Sequence, residues 1–337
     1  MASNLSGVWL DSDYSRMIEI DLPLVQSQKI LKYRNKNIEK KTDEYAEAMF
    51  LGDFHIGHEA HTPNPFNAHL RFLEEHPYIA LALMGDFIEY SSKTNYIKDE
   101  VISIDDQIDV FVRKMKPFAN RIMWMLYGNH EERYVRYTDS KRLLQGIANE
   151  IGVSKSTYIG KPQRGVYAAI KAGNRTYGIY AHHSLTSARI NRTLQLRRAG
   201  SQNVFSIIAQ GHTHEIAWLP RTFRQLEQTE DGYKNVVRRQ YLLSTGCFIK
   251  DPSYAEARSY PYTVVGAPIV RFYANKDKLD EYDLSSDYKE YLTKGGKPFG
   301  AETGISTKFR AWLKKNNKVQ PKYSEEAEKI LKGVKTW

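Results

Sequence analysis

The chain has 337 residues, 41% of them hydrophobic, which is enough for one large or two ordinary domains with a buried core and excludes disorder as its default state. Its formal net charge of +10 suits a polyanionic partner, most simply nucleic acid, and equally suits a solvated basic surface. The single cysteine, Cys247, excludes an intramolecular disulfide framework and a cysteine-based zinc site, and fits a reducing cytoplasm.

Residues 1–45 open the chain without a basic segment followed by an apolar run. No later stretch is apolar enough to span a membrane, so a cytoplasmic protein without a membrane partner is expected. These residues become basic toward KYRNKNIEKK and read as an N-terminal extension. From Ala46 a pattern recurs: a short apolar run, then a polar motif. Ala46–Leu51 precedes GDFHIGH, Tyr78–Met84 precedes GDFIEY, and Arg121–Tyr127 precedes GNHEER. Thr176–Ala181 precedes HHS, and Val204–Ala209 precedes QGHTHE. Such runs read as buried strands, and the stretches Ser103–Ala119 and Ser140–Ile151 have helical apolar spacing. Strand, motif, helix, strand is the organisation of an α/β protein with ligands on loops at strand ends. Gln240–Ser244 and Tyr262–Tyr273 read as further strands, so residues 46–273 are expected to form the domain. Residues 274–337, rich in lysine, read as a basic, partly helical C-terminal extension.

The five motifs share a chemistry. Each presents carboxylate, amide or imidazole ligands, a mixture suited to borderline metals such as Mn, Fe or Zn. In four of them a glycine precedes the key residue, as in Gly52-Asp53, Gly85-Asp86, Gly128-Asn129 and Gly211-His212, which allows a tight turn and close approach. Seven or eight candidate ligands are too many for one tetrahedral ion and suit two ions sharing a bridge.

The order Asp-x-His, Gly-Asp, Gly-Asn-His-Glu, His, Gly-His-x-His across residues 53–214 resembles the calcineurin-like metallophosphoesterase superfamily. The resemblance implies an α/β fold of two packed mixed β-sheets flanked by helices. It implies two divalent metal ions, by family habit Mn2+, with Zn2+, Fe2+ or Ni2+ as alternatives. Asp53, His55 and His214 would hold one ion, Asn129, His182 and His212 the other, and Asp86 would bridge them. His130 would protonate or stabilise the leaving oxygen, and attack would come from a metal-activated hydroxide. Where the family often has a second aspartate after Gly-Asp, this chain has Glu89, expected to accept a hydrogen bond from His130 and raise its pKa. Ala181 followed by His182 fits the strand-end place, leaving His183 to contact a phosphate or fill a glycine position.

For the substrate, the Asp-x-His-Ile-Gly opening resembles the SbcD-type DNA exonucleases, and the whole chain resembles compact phage and prophage metallophosphoesterases. Both point to a nuclease or phosphodiesterase. Arg189, Arg192, Arg197 and Arg198, with Arg221 and Arg224, are candidates to track a phosphate backbone or to solvate the surface. The 23 tyrosines suit base stacking and also ordinary packing. His58 and His61 line the site entrance or are loop residues; His69 and His76 read as structural, and Cys247 as a small packed hydrophobe. A phosphomonoesterase is the alternative reading, although GDFIEY lacks the Asp-Arg-Gly of the protein phosphatases. A binding module that has lost its chemistry is a third reading, against which every ligand is present.

Overall fold

The computed structural model describes residues 17–26, 30–33, 36–39, 44–91, 100–138, 142–183, 193–230, 232–250 and 265–283. The strands and helices, in chain order, begin with β1 (Ile18–Asp21), β2 (Val25–Gln26), β3 (Ile30–Tyr33), β4 (Lys36–Glu39) and β5 (Glu44–Leu51). They continue through α1 (Pro63–Glu75), β6 (Ala80–Leu83), α2 (Ile104–Met115), β7 (Ile122–Met125), α3 (Asn129–Thr138) and α4 (Leu143–Ile151). Then come β8 (Tyr158–Ile159), β9 (Val166–Ala172), β10 (Arg175–His183), α5 (Thr193–Gln202) and β11 (Ile207–Gly211). The last are β12 (Ile216–Thr229), β13 (Gly232–Thr245), β14 (Pro268–Tyr273) and β15 (Leu279–Asp283).

Two mixed sheets carry the fold. One runs β1-β9-β10-β11-β13-β12; the other runs β15-β14-β5-β6-β7-β8, with β2 paired to β5. The central strands β5, β6 and β7 are parallel and buried on both faces, which is why their sequences are continuous apolar runs. Their side chains divide by alternation. Met49, Leu51, Leu81, Leu83 and Met125 pack outward under α1, α2 and α4. Ala48, Phe50, Ala82 and Trp124 point inward, against Ile170, Ile179, Ile207 and Leu243 of the other sheet. On the far face of that sheet Leu196 of α5 covers Ile208 and Leu242.

Helix ends follow local chemistry. Ser103 caps α2 by accepting the Asp106 N–H, and Asp105 and Asp106 occupy the first turn, where carboxylates suit the helix dipole. Gly152 ends α4 at a φ of 78°, a left-handed cap.

The expected extensions differ from what is found. β1 pairs with β9, β2 with β5 and β15 with β14, so segments outside 46–273 add strands to both sheets. The alternation of Ile18, Glu19, Ile20 and Asp21 suits such a half-buried edge strand. The expected helical tail within 284–337 lies outside the described residues. No helix among the described residues is long and apolar enough to cross a membrane.

Candidate metal centre

The loops after β5, β6, β7, β10 and β11 converge at one end of the sandwich. They are tied together by backbone. Asp53 N–H donates to Gly85 O at 2.8 Å, and Phe54 N–H to Asp86 O at 2.8 Å. Both oxygens of Asp53 accept the His212 N–H at 3.0 Å. A Cβ on Gly128 would collide with the Asp86 carboxylate, which fixes that position as glycine.

Among the described residues three overlapping groups of ligand atoms result, one of which, His55, Asp86 and His130, spans the other two. Asp53, His55 and His214 form the first, with Asp53 Oδ1 and His55 Nε2 each 3.1 Å from His214 Nε2. Asp86, His183 and His212 form the second, with His183 Nε2 3.2 Å from Asp86 Oδ2. Asp86 Oδ2 is also 3.7 Å from His55 Nε2, so its carboxylate stands between the sets. One end of the Asn129 amide packs against His212 Nδ1 at 2.6 Å, His183 Nε2 at 3.2 Å and Asp86 Oδ2 at 3.1 Å; Arg133 lies at the other end. With its oxygen inward Asn129 joins the ligand atoms of the second set.

The outer nitrogens of two imidazoles are already committed. His183 Nδ1 donates to the Met84 carbonyl at 2.8 Å, and His55 Nδ1 faces Glu89 Oε2 at 2.7 Å. That arrangement places the lone pair on Nε2, toward the cluster, as metal-binding histidines are usually held. The residues therefore fit two divalent cations. Burial opposes a charge on His183, but Asp86 raises its pKa to about 10. Burial likewise opposes His55, but Glu89, then Asp86 and Asp53, raise it to about 9. Asp86 is buried, yet His183 and His130 hold its carboxyl well below the usual range. A cation held by the ionised carboxylates would replace the protons of these two raised histidines.

The structure places His183, and not His182, in this cluster. The reason is the pleat of β10: Tyr177, Ile179, Ala181 and His183 are the buried positions, two apart, on the inward face. His182 lies on the other face, stacked on Tyr180 with ring centroids 5.1 Å apart. The His183 side chain is fully enclosed, so it has no surface to offer a phosphate.

His130 lies in the first turn of α3, beside the cluster. Its backbone N–H donates to Asp86 Oδ1 at 2.9 Å, directing the helix N-terminus at that carboxylate. The expected link to Glu89 takes another form. Glu89 makes its short contact with His55 and leaves 3.3 Å to His130 Nδ1. That nitrogen accepts the Tyr90 N–H at 3.1 Å, so the ring proton sits on Nε2. Burial lowers the His130 pKa to about 4, overriding the nearby carboxylates, where a rise was expected. Glu89 is buried, but His130 and His55 hold its carboxyl down at about 2.

Glu131 has a role that GNHEER did not announce. It is fully buried, and its two oxygens accept the N–H groups of Asp86, Phe87, Ile88 and Gly128. Its carboxyl is pushed up to about 7, by burial first and then by Asp86.

Of the remaining candidates, His58 is buried, with Nδ1 accepting the Ala60 N–H at 2.9 Å. His61 Nδ1 bonds the Phe54 carbonyl, and His69 and His76 bond carbonyls of their own helix. Cys247 is buried. Arg197 and Arg198 lie on α5; Arg189 and Arg192 lie outside the described residues. Arg221 and Arg224 lie on β12, which carries them away from the His212–His214 loop.

The backbone at this site is unusual. Six described non-glycine residues have positive φ, and five are Asp53, His55, Asp86, His212 and His214. Outliers of that kind gather where the surrounding structure dictates the conformation.

The search of curated proteins found no match. Among solved structures the chain is similar to vacuolar protein sorting 29 from Cryptosporidium parvum, at 13% identity and a TM-score of 0.34, covering 71% of this chain and 98% of that one. It is similar also to wild-type Vps29 complexed with zinc from Entamoeba histolytica, at 13% identity and a TM-score of 0.31, covering 70% and 98%. Residues 48–239 match the calcineurin-like phosphoesterase family. With all five motifs folded into one two-part ligand cluster, the chain belongs to the calcineurin-like phosphoesterase family.

Proposed function

We propose that this phosphoesterase hydrolyses phosphodiesters, that nucleic acid is its substrate, and that two divalent cations, Mn2+ by preference, are its cofactors. Asp53, His55 and His214 would hold one cation, Asn129, His183 and His212 the other, with Asp86 shared. Such ions acidify a water and neutralise phosphoryl oxygens. His130, neutral and with its proton on Nε2, would donate a hydrogen bond that stabilises the leaving oxygen, and the Tyr90 N–H keeps the ring in that tautomer.

The observation that carries the diester reading is Tyr90: it follows the buried carboxylate of Glu89 at the place where the protein phosphatases have the arginine of Asp-Arg-Gly. A monoester brings two negative charges at neutral pH and a diester one. A second charge about 5 Å from a carboxylate costs roughly 3 kcal/mol at an effective dielectric of 20. Arg133, one turn along α3 from Asn129, is turned to the Asn129 and Tyr90 carbonyls. The net charge of +10 and the SbcD-like Asp-x-His-Ile-Gly opening support nucleic acid as the diester.

The test is turnover of bis(p-nitrophenyl) phosphate against p-nitrophenyl phosphate with Mn2+, followed by cleavage of single- and double-stranded DNA and RNA, with His130→Ala as control. Diester preference and His130-dependent cleavage are expected. Monoester preference would make the protein a phosphatase instead.

A further inference from the structure

β12 and β13 form a hairpin much longer than the sheet that supports it. β11 pairs with β13 only over Tyr241–Ser244, while the β12–β13 ladder continues out to Thr229↔Gly232. At about 3.4 Å per residue, the segment from Thr222 to Thr229 projects roughly 27 Å past the sheet. Opposed residues in an antiparallel ladder share a face, so the two faces of this arm can be read from its register.

At the root of one face, Trp218 stacks on Tyr241 with ring centroids 4.5 Å apart, at the rim of the inter-sheet core. Outward along the same face come Arg239, the pair Arg224↔Val237, then Leu226 and Tyr233. Leu226, Tyr233 and Val237 are 68%, 72% and 60% exposed, and both arginines are exposed. No carboxylate lies on this face between Thr222 and Gln228 or between Tyr233 and Arg239. Within the two strands of the arm the acid is Glu227, on the opposite face, where it pairs with Arg238; Glu230 and Asp231 follow in the connecting segment of the sequence. An isolated two-stranded ribbon is marginal in water, and this one leaves its apolar strip uncovered among the described residues.

We propose that this face of the β12–β13 arm is a nucleic-acid contact: Arg224 and Arg239 meet backbone phosphates, and Leu226, Val237 and Tyr233 meet sugars and bases. The segregation of charge selects the occupant. An acid-free surface of arginine, aromatic and aliphatic side chains complements a polyanion with apolar bases. Pairing of the same face with a second copy would set Arg224 and Arg239 against their own kind. The inference rests on nucleic acid being the substrate. It adds a site remote from the chemistry: the strand leaves the ligand cluster at Ile216 and runs away from it, which puts Arg224 about 30 Å along the strand from His214. The arm contributes grip along the strand, not turnover.

The test uses the full metal-loaded chain in a His130→Ala background, with a fluorescein-labelled 20-nucleotide strand and the matching duplex, read by anisotropy over a salt series. R224A/R239A is expected to weaken binding of at least one probe about 10-fold and to lower the salt slope by roughly 1–2. R224K/R239K should restore most of the affinity, since the phosphate contact needs charge. In the otherwise native chain, R224A/R239A should leave bis(p-nitrophenyl) phosphate turnover unchanged. Unchanged affinity and slope in the alanine variant would overturn the proposal. So would a native chain that sediments as a dimer and a variant that sediments as a monomer with unaltered binding. Arginine-dependent binding without cleavage would keep the arm and remove the nuclease reading; cleavage with arginine-independent binding would do the reverse.

Discussion

Glu131 Oε2 accepts the backbone N–H of Asp86 at 2.9 Å and that of Gly128 at 2.8 Å. One carboxylate oxygen thereby joins the loop after β6 to the loop after β7, and Oε1 takes the N–H groups of Phe87 and Ile88. An amide in its place offers one acceptor oxygen and turns two donors on two buried N–H groups. Each buried group left unsatisfied costs about 1–3 kcal/mol. Glu131→Gln should therefore lose about 2–4 kcal/mol in urea denaturation and bind metal less tightly. An unshifted midpoint would show that Glu131 is not the clamp.

His183 and His182 are neighbours in sequence and face opposite ways. His183→Ala should release about one of two bound ions per chain, measured by atomic emission on desalted protein. His182→Ala should keep both. The reverse pattern would contradict the face that β10 presents to the cluster.

The His130 backbone N–H binds Asp86, and its ring, held by the Tyr90 N–H, stands edge-on to His55 with centroids 4.8 Å apart. His130→Ala should lower diester turnover by about 10²–10⁴ with metal content unchanged. Glu89→Gln should act differently, because its short partner is His55. Loss of that charge weakens the orientation of His55, so metal affinity should fall about 10–100-fold. Full metal affinity in Glu89→Gln, by competition with a fluorescent chelator, would separate Glu89 from the cluster.

Metal binding and fold stability should respond oppositely to pH. His55 and His183 are raised to about 9 and about 10, so in the metal-free chain both are protonated at pH 7 and bonded to carboxylates. Their stabilisation is fully present below the ordinary histidine pKa of about 6.5 and lost as pH rises through 9–10. A cation must displace those protons, so its affinity should rise over the same interval. Calorimetry in two buffers of different ionisation enthalpy at pH 7.5 should show protons released on metal binding. Zero release would mean that the two histidines do not ligate.

Much of this centre was legible because its chemistry is local. Asp53, His55, Asp86, Asn129, His212 and His214 each follow an apolar run that became a buried strand, and the loops could meet only at one end of the sheets. His183 was misread for a reason the sequence contains: Tyr177, Ile179 and Ala181 alternate, and period two puts the next inward position at 183. The arm was missed although Asp-Gly at 231–232, between runs of β-forming residues, is a hairpin signal. Only its last stretch, Gln240–Ser244, was apolar enough to read as a strand. The role of Glu131 depends on backbone N–H groups converging from two distant loops, which no residue pattern encodes.

The left-handed backbone at Asp53, His55, Asp86, His212 and His214 has a consequence for how such a site is lost. Glycine adopts that conformation without strain, whereas a residue with a side chain gives up about 1 kcal/mol or more there. At Asp53 and Asp86 the carboxylates offset that strain by accepting the N–H groups of His212 and His130, and at His55 the Glu89 contact does so. At His212 and His214 folding alone would reward glycine, so a chain released from its chemistry would lose those two side chains first. Carboxylate and imidazole at all five mark a loop framework still shaped by what it holds.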